Sequence, residues 1–407
     1  MVGLRRAFGP LAALLAFSAT GTYAQNNGPG VTATEIKIGQ TQPYSGPVSA
    51  WSIQGRVDLA YMNKINAQGG INGRKIKLIS LDDGYSPPKA LERARELVES
   101  ERVLGFFGSV GTTPNIAVAK YLNDRKVPHL LISSGAPRWG DPKMNKWSTP
   151  FYILQTTEAQ ILAKYLLSTK PDAKVGVLYQ NDDYGKGYLK AFRDALGSKA
   201  DKMIVQTSSY DVTDPTVESQ IIQLKNSGAD TIFNVTTSKF AAQAIRKIAD
   251  LNWKPLHLAI NAVTSVEAVL KPAGLEQSKD IVSLQFMKTP GDPEWANDAG
   301  MNEYMTFMKE WAPQEAALDP TAGVSYMMSK ITEIILRNCG NDLSRENLLK
   351  QATTLQNIEL PLLLPGVTVG YAPDDYTPIR KARMTRFNGE KWLPLGDLVS
   401  ADGVPGN

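Results

Sequence analysis

Apolar and polar positions alternate in two registers along this chain, and the registers take turns. Short apolar runs of strand length, Glu35–Thr41, Lys75–Leu81, Val103–Phe107 and His129–Ser133, are separated by stretches whose apolar residues recur every three or four positions. One stretch carries Leu91, Ala94, Leu97 and Val98 on a single helical face, and another runs from about Trp51 to Ala67. Strand, helix, strand, helix predicts a parallel sheet covered on both sides. After Pro150 the same grammar restarts with a helix over about Glu158–Leu167. Strands follow at Lys174–Tyr179, Met203–Ser208, Asp230–Val235, Leu256–Ile260 and Ile281–Phe286. Helices carrying Leu189, Phe192 and Leu196, then Val217–Leu224 and Phe240–Leu251, lie between them. Long helical patterns at Glu294–Trp311, Thr321–Asn338 and Ser344–Thr354 precede a proline-rich segment, Leu360–Tyr371. Two short strands, Arg383–Phe387 and Trp392–Leu395, close the chain around the hairpin turn Asn388-Gly389. The pattern predicts an α/β chain with two domains, and the methionines at 301, 305, 308, 327 and 328 read as core packing.

The stretch Val103–Trp139 carries the most chemistry. Two strands, each ending in a small-residue turn, with a helix between them, form a βαβ unit whose turns face one cleft. Thr113-Pro114 reads as an N-cap followed by proline at the first helical position. Ser109, Gly111 and Thr112 then offer N–H groups and hydroxyls at the positive end of a helix, an anion cradle. The same residues also suit a tight strand-to-helix turn with no ligand, and spacing alone leaves both readings open.

Composition narrows the function. Residues 1–24 carry Arg5 and Arg6, an apolar run from Leu11 to Phe17 and small residues ending at Ala24, the pattern of a cleavable secretory signal peptide. The mature chain is therefore expected to be exported and soluble. The formal net charge is +4, two units of it from the leader arginines, with acidic and basic residues mixed, so nothing suggests nucleic acid. Cys339 is the one cysteine, which leaves no internal disulfide. His129 and His257 have no metal-ligand spacing around them, and no cofactor is implied. Phe107-Gly108-Ser109-Val110-Gly111 lacks the first glycine of a nucleophile elbow. No phosphate-binding loop is present. The carboxylate pairs Asp82-Asp83, Asp182-Asp183 and Asp374-Asp375 all adjoin turn residues and read as caps. The chain is not expected to be an enzyme.

Five motifs then stand in a recognisable order: Pro43-Tyr44-Ser45-Gly46-Pro47, Ile65–Gly73 (INAQGGING), Asp82-Asp83 with Pro88-Lys89-Ala90, Ser133-Ser134-Gly135-Ala136, and Asp183–Gly187 (DYGKG). Through them the mature chain resembles the periplasmic solute-binding proteins of ABC transporters, in the leucine/isoleucine/valine-binding family with the type I periplasmic binding fold. The resemblance implies two doubly wound parallel-sheet lobes joined by three hinge crossings near 150, 284 and 376. Residues 25–150 and 285–375 would form one lobe, and 151–284 with 376–407 the other. It implies a periplasmic protein that closes on a small ligand and is read by a membrane permease with its ATPase subunits. A sensory subunit serving a membrane receptor shares this fold, and a cleft hydrolase is a more distant alternative.

Carried over residue by residue, the resemblance places Ser109 and the segment Ser133–Pro137, with Ser134, Gly135 and Ala136, at the ligand's polar end. Trp51 and Tyr184 match pocket aromatics. Asn261 opens a segment, Asn261–Val266, that holds no carboxylate where the family places the acid pairing an α-ammonium; Glu267 would supply it if the alignment slips by a few residues. Pro137 stands where a threonine would donate two hydrogen bonds, and proline can donate neither. Arg138 offers a bidentate carboxylate contact and Trp139 an apolar wall, unless both lie in a solvated hinge-side loop. These departures point to a small organic acid, aromatic or otherwise, rather than an aliphatic amino acid, with the amino acid restored if Glu267 faces the cleft.

Overall fold

The structure, a computed structural model, describes Gly3 and residues 27–401. The leader expected over residues 1–24, apart from Gly3, and the last residues of the chain lie outside the described residues. The first apolar runs become strands. β1 (Glu35–Gln42), α1 (Ile53–Ala67), β2 (Lys75–Asp82), α2 (Pro87–Arg95), β3 (Phe106–Phe107), α3 (Thr112–Asp124), β4 (His129–Ile132) and β5 (Ser148–Pro150) build a parallel sheet of order β2-β1-β3-β4-β5. The expected strand Val103–Phe107 is regular only at its end, although the Leu104 N–H and the Gly105 carbonyl still pair with β1.

A second sheet collects α4 (Gln155–Thr169), β6 (Val175–Gln180), α5 (Asp183–Leu196), the single turn α6 (Ala200–Met203), β7 (Ile204–Tyr210), α7 (Glu218–Asn226), β8 (Thr231–Val235), α8 (Ser238–Asp250), β9 (Leu256–Ala259), α9 (Lys271–Ala273) and β10 (Val282–Gln285). The chain then runs through α10 (Ala299–Trp311), α11 (Pro320–Asn338) and α12 (Arg345–Thr353), and β11 (Lys381–Phe387) and β12 (Trp392–Ser400) return to the second sheet. Its order is β12-β11-β10-β9-β8-β6-β7. β8 is buried along its whole length, as a strand covered on both faces must be. The final hairpin turns at Asn388, whose side-chain oxygen accepts from the N–H groups of Glu390 and Lys391. Met301, Met308, Met327 and Met328 are buried in the core and Met305 packs against it.

Two expected boundaries move. The cap of α3 is Gly111, not Thr113, because Gly111 takes a φ of 102° that a side chain would resist, and the helix begins two residues earlier. The expected helix from Glu294 breaks after Trp295 and restarts where Asp298 accepts the Met301 N–H at 2.8 Å.

α11 is fastened to the first sheet through one buried carboxyl. Asp58 on α1 accepts from Ser325 Oγ at 2.6 Å and Ser329 Oγ at 2.7 Å. With the Gln40 amide nitrogen turned toward it, a third bond of 3.0 Å comes from β1. Burial pushes the Asp58 carboxyl up to about 7, against the lowering effect of these bonds. An unfolded aspartate titrates near ~3.9, so the folded chain keeps a proton that the unfolded chain loses between roughly pH 4 and 7. The stability from this group is full at the acid end of that window and is lost as pH rises through the folded value. Asp58→Asn keeps an acceptor for both serines and removes the titration. The melting temperature of the variant relative to the parent should therefore climb between pH 5 and pH 8, whereas a constant difference would contradict a raised Asp58.

Candidate functional site

Parallel strands bring the turns at their carboxyl ends to one side, and here the turns of both sheets meet around a cleft of ≈ 890 Å³, part of it open to solvent. The first sheet contributes Val110, Gly111, Thr112, Ser133, Ser134 and Gly135, with Trp51 from the 3-10 turn before α1 and Gln54 from the start of α1. Tyr184 and Tyr188 come from α5, Tyr152 from the connection before α4, and Asn261, Ala262, Thr264 and Ser265 from the turn after β9. Gln285, Met287, Lys288 and Thr289, with Pro320, Thr321 and Val324 of α11 and Trp392, complete the wall.

Of the residues expected at the site, Trp51, Ser134, Gly135, Tyr184 and Asn261 line this cleft together. Ser109, Ala136, Arg138 and Trp139 do not. The Ser109 hydroxyl turns back into the sheet and accepts the Thr41 N–H at 3.2 Å, because the extended chain alternates and its neighbour Val110 takes the cleft side. Ala136 packs beneath, with its N–H on Ser134 Oγ. Arg138 lies half-buried in the 3-10 turn that follows, its guanidinium 5.4 Å from the Trp139 ring. Trp139 is fully buried and donates its indole N–H to Ser134 Oγ at 3.2 Å, so it braces the site from behind instead of walling it. Glu267 pairs with Lys271 one helical turn away and does not line the cleft.

That bracing decides where a hydrogen goes. Ser134 Oγ receives two N–H groups, from Ala136 at 3.3 Å and from Trp139. A hydroxyl oxygen accepts two bonds and donates one. Its own hydrogen therefore passes to Thr112 Oγ1, 2.7 Å away. The Thr112 hydrogen is left to point elsewhere, at the first residue of α3, where the N–H groups of an opening helix also lack internal partners. The Gln54 carboxamide oxygen, also on the cleft lining, is a buried acceptor without a partner. The first-sheet wall thus holds an unspent hydroxyl donor, that of Thr112, at the positive end of a helix.

Among the described residues, no Asp or Glu lines the cleft, and its one cationic residue, Lys288, is already committed. The Lys288 ammonium bonds Asp298 at 2.7 and 2.8 Å and the Pro361 carbonyl at 2.9 Å, so only its stem is offered to a ligand. Behind the second-sheet wall, Glu158 is fully buried and takes a bond from the Asn261 N–H at 2.5 Å and one from the Tyr188 hydroxyl at 2.6 Å. Burial raises its carboxyl to about 7, partly offset by those two bonds. Aromatic faces fill the remainder: Trp51 meets Tyr184 edge-on at 6.2 Å across the cleft, and Tyr184 meets Tyr188 edge-on at 5.4 Å. The two sheets' turns also touch directly, where Thr113 Oγ1 donates to Asp182 Oδ2 at 3.0 Å. Among the described residues, no cluster of His, Cys, Asp or Glu could hold a metal ion.

A sequence model of the family described as periplasmic binding protein matches residues 35–391. The chain belongs to the periplasmic binding protein family. Members of this family bind ligands and are not enzymes. A Leu/Ile/Val-binding protein homolog from Brucella abortus is 25% identical over 232 residues, covering 55% of this chain and 57% of that protein, little more than half the relative's length. A branched chain amino acid ABC transporter protein from Thermus thermophilus, solved with bound valine, superposes with a TM-score of 0.81 at 13% identity, over 91% of this chain and 97% of its own. A fatty acid ABC transporter substrate-binding protein from Thermomonospora curvata gives 0.75 at 20% identity, over 93% and 97%. These likenesses establish the type I periplasmic binding fold.

In this periplasmic binding protein, the sequence motifs located turns that line the cleft but missed Lys288, Thr289, Pro320, Thr321 and Trp392, which arrive from remote segments. Gly135 shows how close the backbones run there: a Cβ would lie 2.3 Å from the Ile153 carbonyl oxygen. Gly135→Ala should destabilise the protein by roughly 1–3 kcal/mol, read as a lower melting temperature. Unchanged melting would contradict this close approach.

Proposed function

We propose that this chain is the extracytoplasmic solute-binding subunit of an ABC importer. It takes up a small carboxylate ligand in the cleft between its two sheets and presents the closed form to a membrane permease coupled to ATPase subunits. In this reading the leader directs the protein to the periplasm. Residues 25–150 with 285–375, and 151–284 with 376–407, move as two lobes about the hinge crossings.

The observation that carries the ligand assignment is the relay from Trp139 and Ser134, which leaves the Thr112 hydroxyl free to donate at the N-terminus of α3. A carboxylate suits that position. Among the described residues, an α-ammonium finds no counter-charge on the wall, since Glu267 is paired outside it and Glu158 lies behind Tyr188 and Asn261. Burying an unpaired ammonium costs several kcal/mol. A carboxylate without an α-amino group, its apolar body against Trp51, Tyr184 and Tyr188, avoids that cost. The Thermus neighbour holds valine and the Thermomonospora neighbour is named for fatty acids, so the fold accommodates acids with and without an ammonium.

The test is a thermal-shift screen of residues 25–407 against leucine, valine and matched carboxylates lacking the amino group, with uptake of any hit compared in parent and deletion strains. Ligand at ~100 times its dissociation constant adds about 2.7 kcal/mol of stability. The desamino carboxylates should raise the melting temperature, and the deletion strain should lose their uptake. Stabilisation by leucine or valine alone would overturn the ligand class, and normal uptake in the deletion strain would overturn the transport role.

A further inference from the structure

The second-sheet wall of the cleft has a hydrogen-bonding polarity of its own. Tyr188 Oη donates to Glu158 Oε2 at 2.6 Å, and Tyr152 Oη donates to Asn261 Oδ1 at 2.9 Å. The orientation of the Asn261 amide is fixed from its other end, where Nδ2 donates to the Leu284 carbonyl at 2.9 Å. The Tyr184 hydroxyl points to the Thr236 carbonyl, Thr264 Oγ1 donates to the Asn261 carbonyl, and the Trp392 indole N–H is spent on the Thr264 carbonyl. The donors on Tyr152, Tyr184, Tyr188, Thr264 and Trp392 all belong to cleft-lining residues, and each of these hydrogens is already committed to a protein acceptor. A phenol has one hydrogen to give. At the three phenols and the Thr264 hydroxyl, what remains for a ligand is lone pairs and ring faces.

Glu158 holds this arrangement in place. It sits in the first turn of α4, buried, and does not line the cleft itself. Its two oxygens accept from the Asn261 main chain and from Tyr188, so an ionised Glu158 can only accept, and Tyr188 can only donate inward. Resting on the carboxylate reading above, we propose that Glu158 is a positioning residue that sets ligand selectivity through Tyr188. When ionised it makes the Tyr188 hydroxyl oxygen an acceptor, which selects a carboxylate carrying a hydroxyl donor at its far end. A ligand whose far end is an ether or other pure acceptor meets lone pairs and is rejected.

Glu158→Gln separates this role from simple support. The glutamine oxygen still accepts the Asn261 N–H, and its amide nitrogen must then donate to Tyr188 Oη. The Tyr188 hydrogen is thereby released, and this one hydroxyl changes from acceptor to donor with little change in shape. The probes are 4-hydroxyphenylacetate, 4-methoxyphenylacetate and 4-ethylphenol, titrated calorimetrically at pH 8.5 with the mature protein. The parent should prefer the hydroxy over the methoxy acid by about tenfold or more, the worth of one hydrogen bond to a strong acceptor. In Glu158→Gln that ratio should fall about tenfold or invert. Tyr188→Phe, which keeps the ring and removes the oxygen, should abolish the hydroxyl preference even if Glu158→Gln fails to fold. Equal loss of both acids in Glu158→Gln, or an unchanged ratio in Tyr188→Phe, overturns the proposal. Binding of 4-ethylphenol with neither acid overturns instead the carboxylate reading on which it rests.

Discussion

The cleft depends on one piece of main-chain pairing beyond the ends of β3 and β4. Val110 and Ser133 form a parallel bridge there, with the Ser133 N–H on the Ser109 carbonyl and the Gly111 N–H on the Ser133 carbonyl. This bridge holds the two turns side by side. It brings Ser134 within hydrogen-bond reach of Thr112 and aims the start of α3 into the cleft. Asn115, one turn into α3, ties the turn further by donating to the Ser109 and Gly111 carbonyls. Without the bridge, the donors of the first-sheet wall would have no fixed place from which to meet a ligand.

Much of the fold was legible because burial on both faces of a parallel sheet leaves a plain mark. β6 and β8 read as near-continuous apolar runs, and the helices between strands show three-to-four spacing. The site was legible only in part, and the reason is directional. Motif matching found the turn Ser133–Gly135 and cap spacing put the start of α3 two residues late, but spacing does not say which side of an extended chain meets the cleft. Ser109 was expected to bind and instead points at β1, whereas Val110 faces inward. Trp139 looked like a wall and acts as a brace, because a 3-10 turn folds it under Ser134. Lys288, Pro320 and Trp392 were invisible for another reason: they reach the cleft through tertiary packing from segments far along the chain.

Charge is handled by the same economy throughout. Ionisable side chains near the cleft are satisfied before any ligand arrives: Lys288 by Asp298, Glu267 by Lys271, and Glu158 by Asn261 and Tyr188. Recognition is left to oriented hydrogen bonds and aromatic faces, with the helix N-terminus supplying the one directional field. Such a site discriminates by which atoms donate and which accept, and a missing or misplaced hydrogen on the ligand leaves a buried group unpaired.

The most direct measurement is a crystal structure of the mature protein with a bound carboxylate. The account predicts a carboxylate oxygen within hydrogen-bond distance of Thr112 Oγ1 and of the first N–H groups of α3, with Lys288 still paired to Asp298. A carboxylate held instead by Lys288, with the Asp298 pair broken and Thr112 without contact, would contradict it.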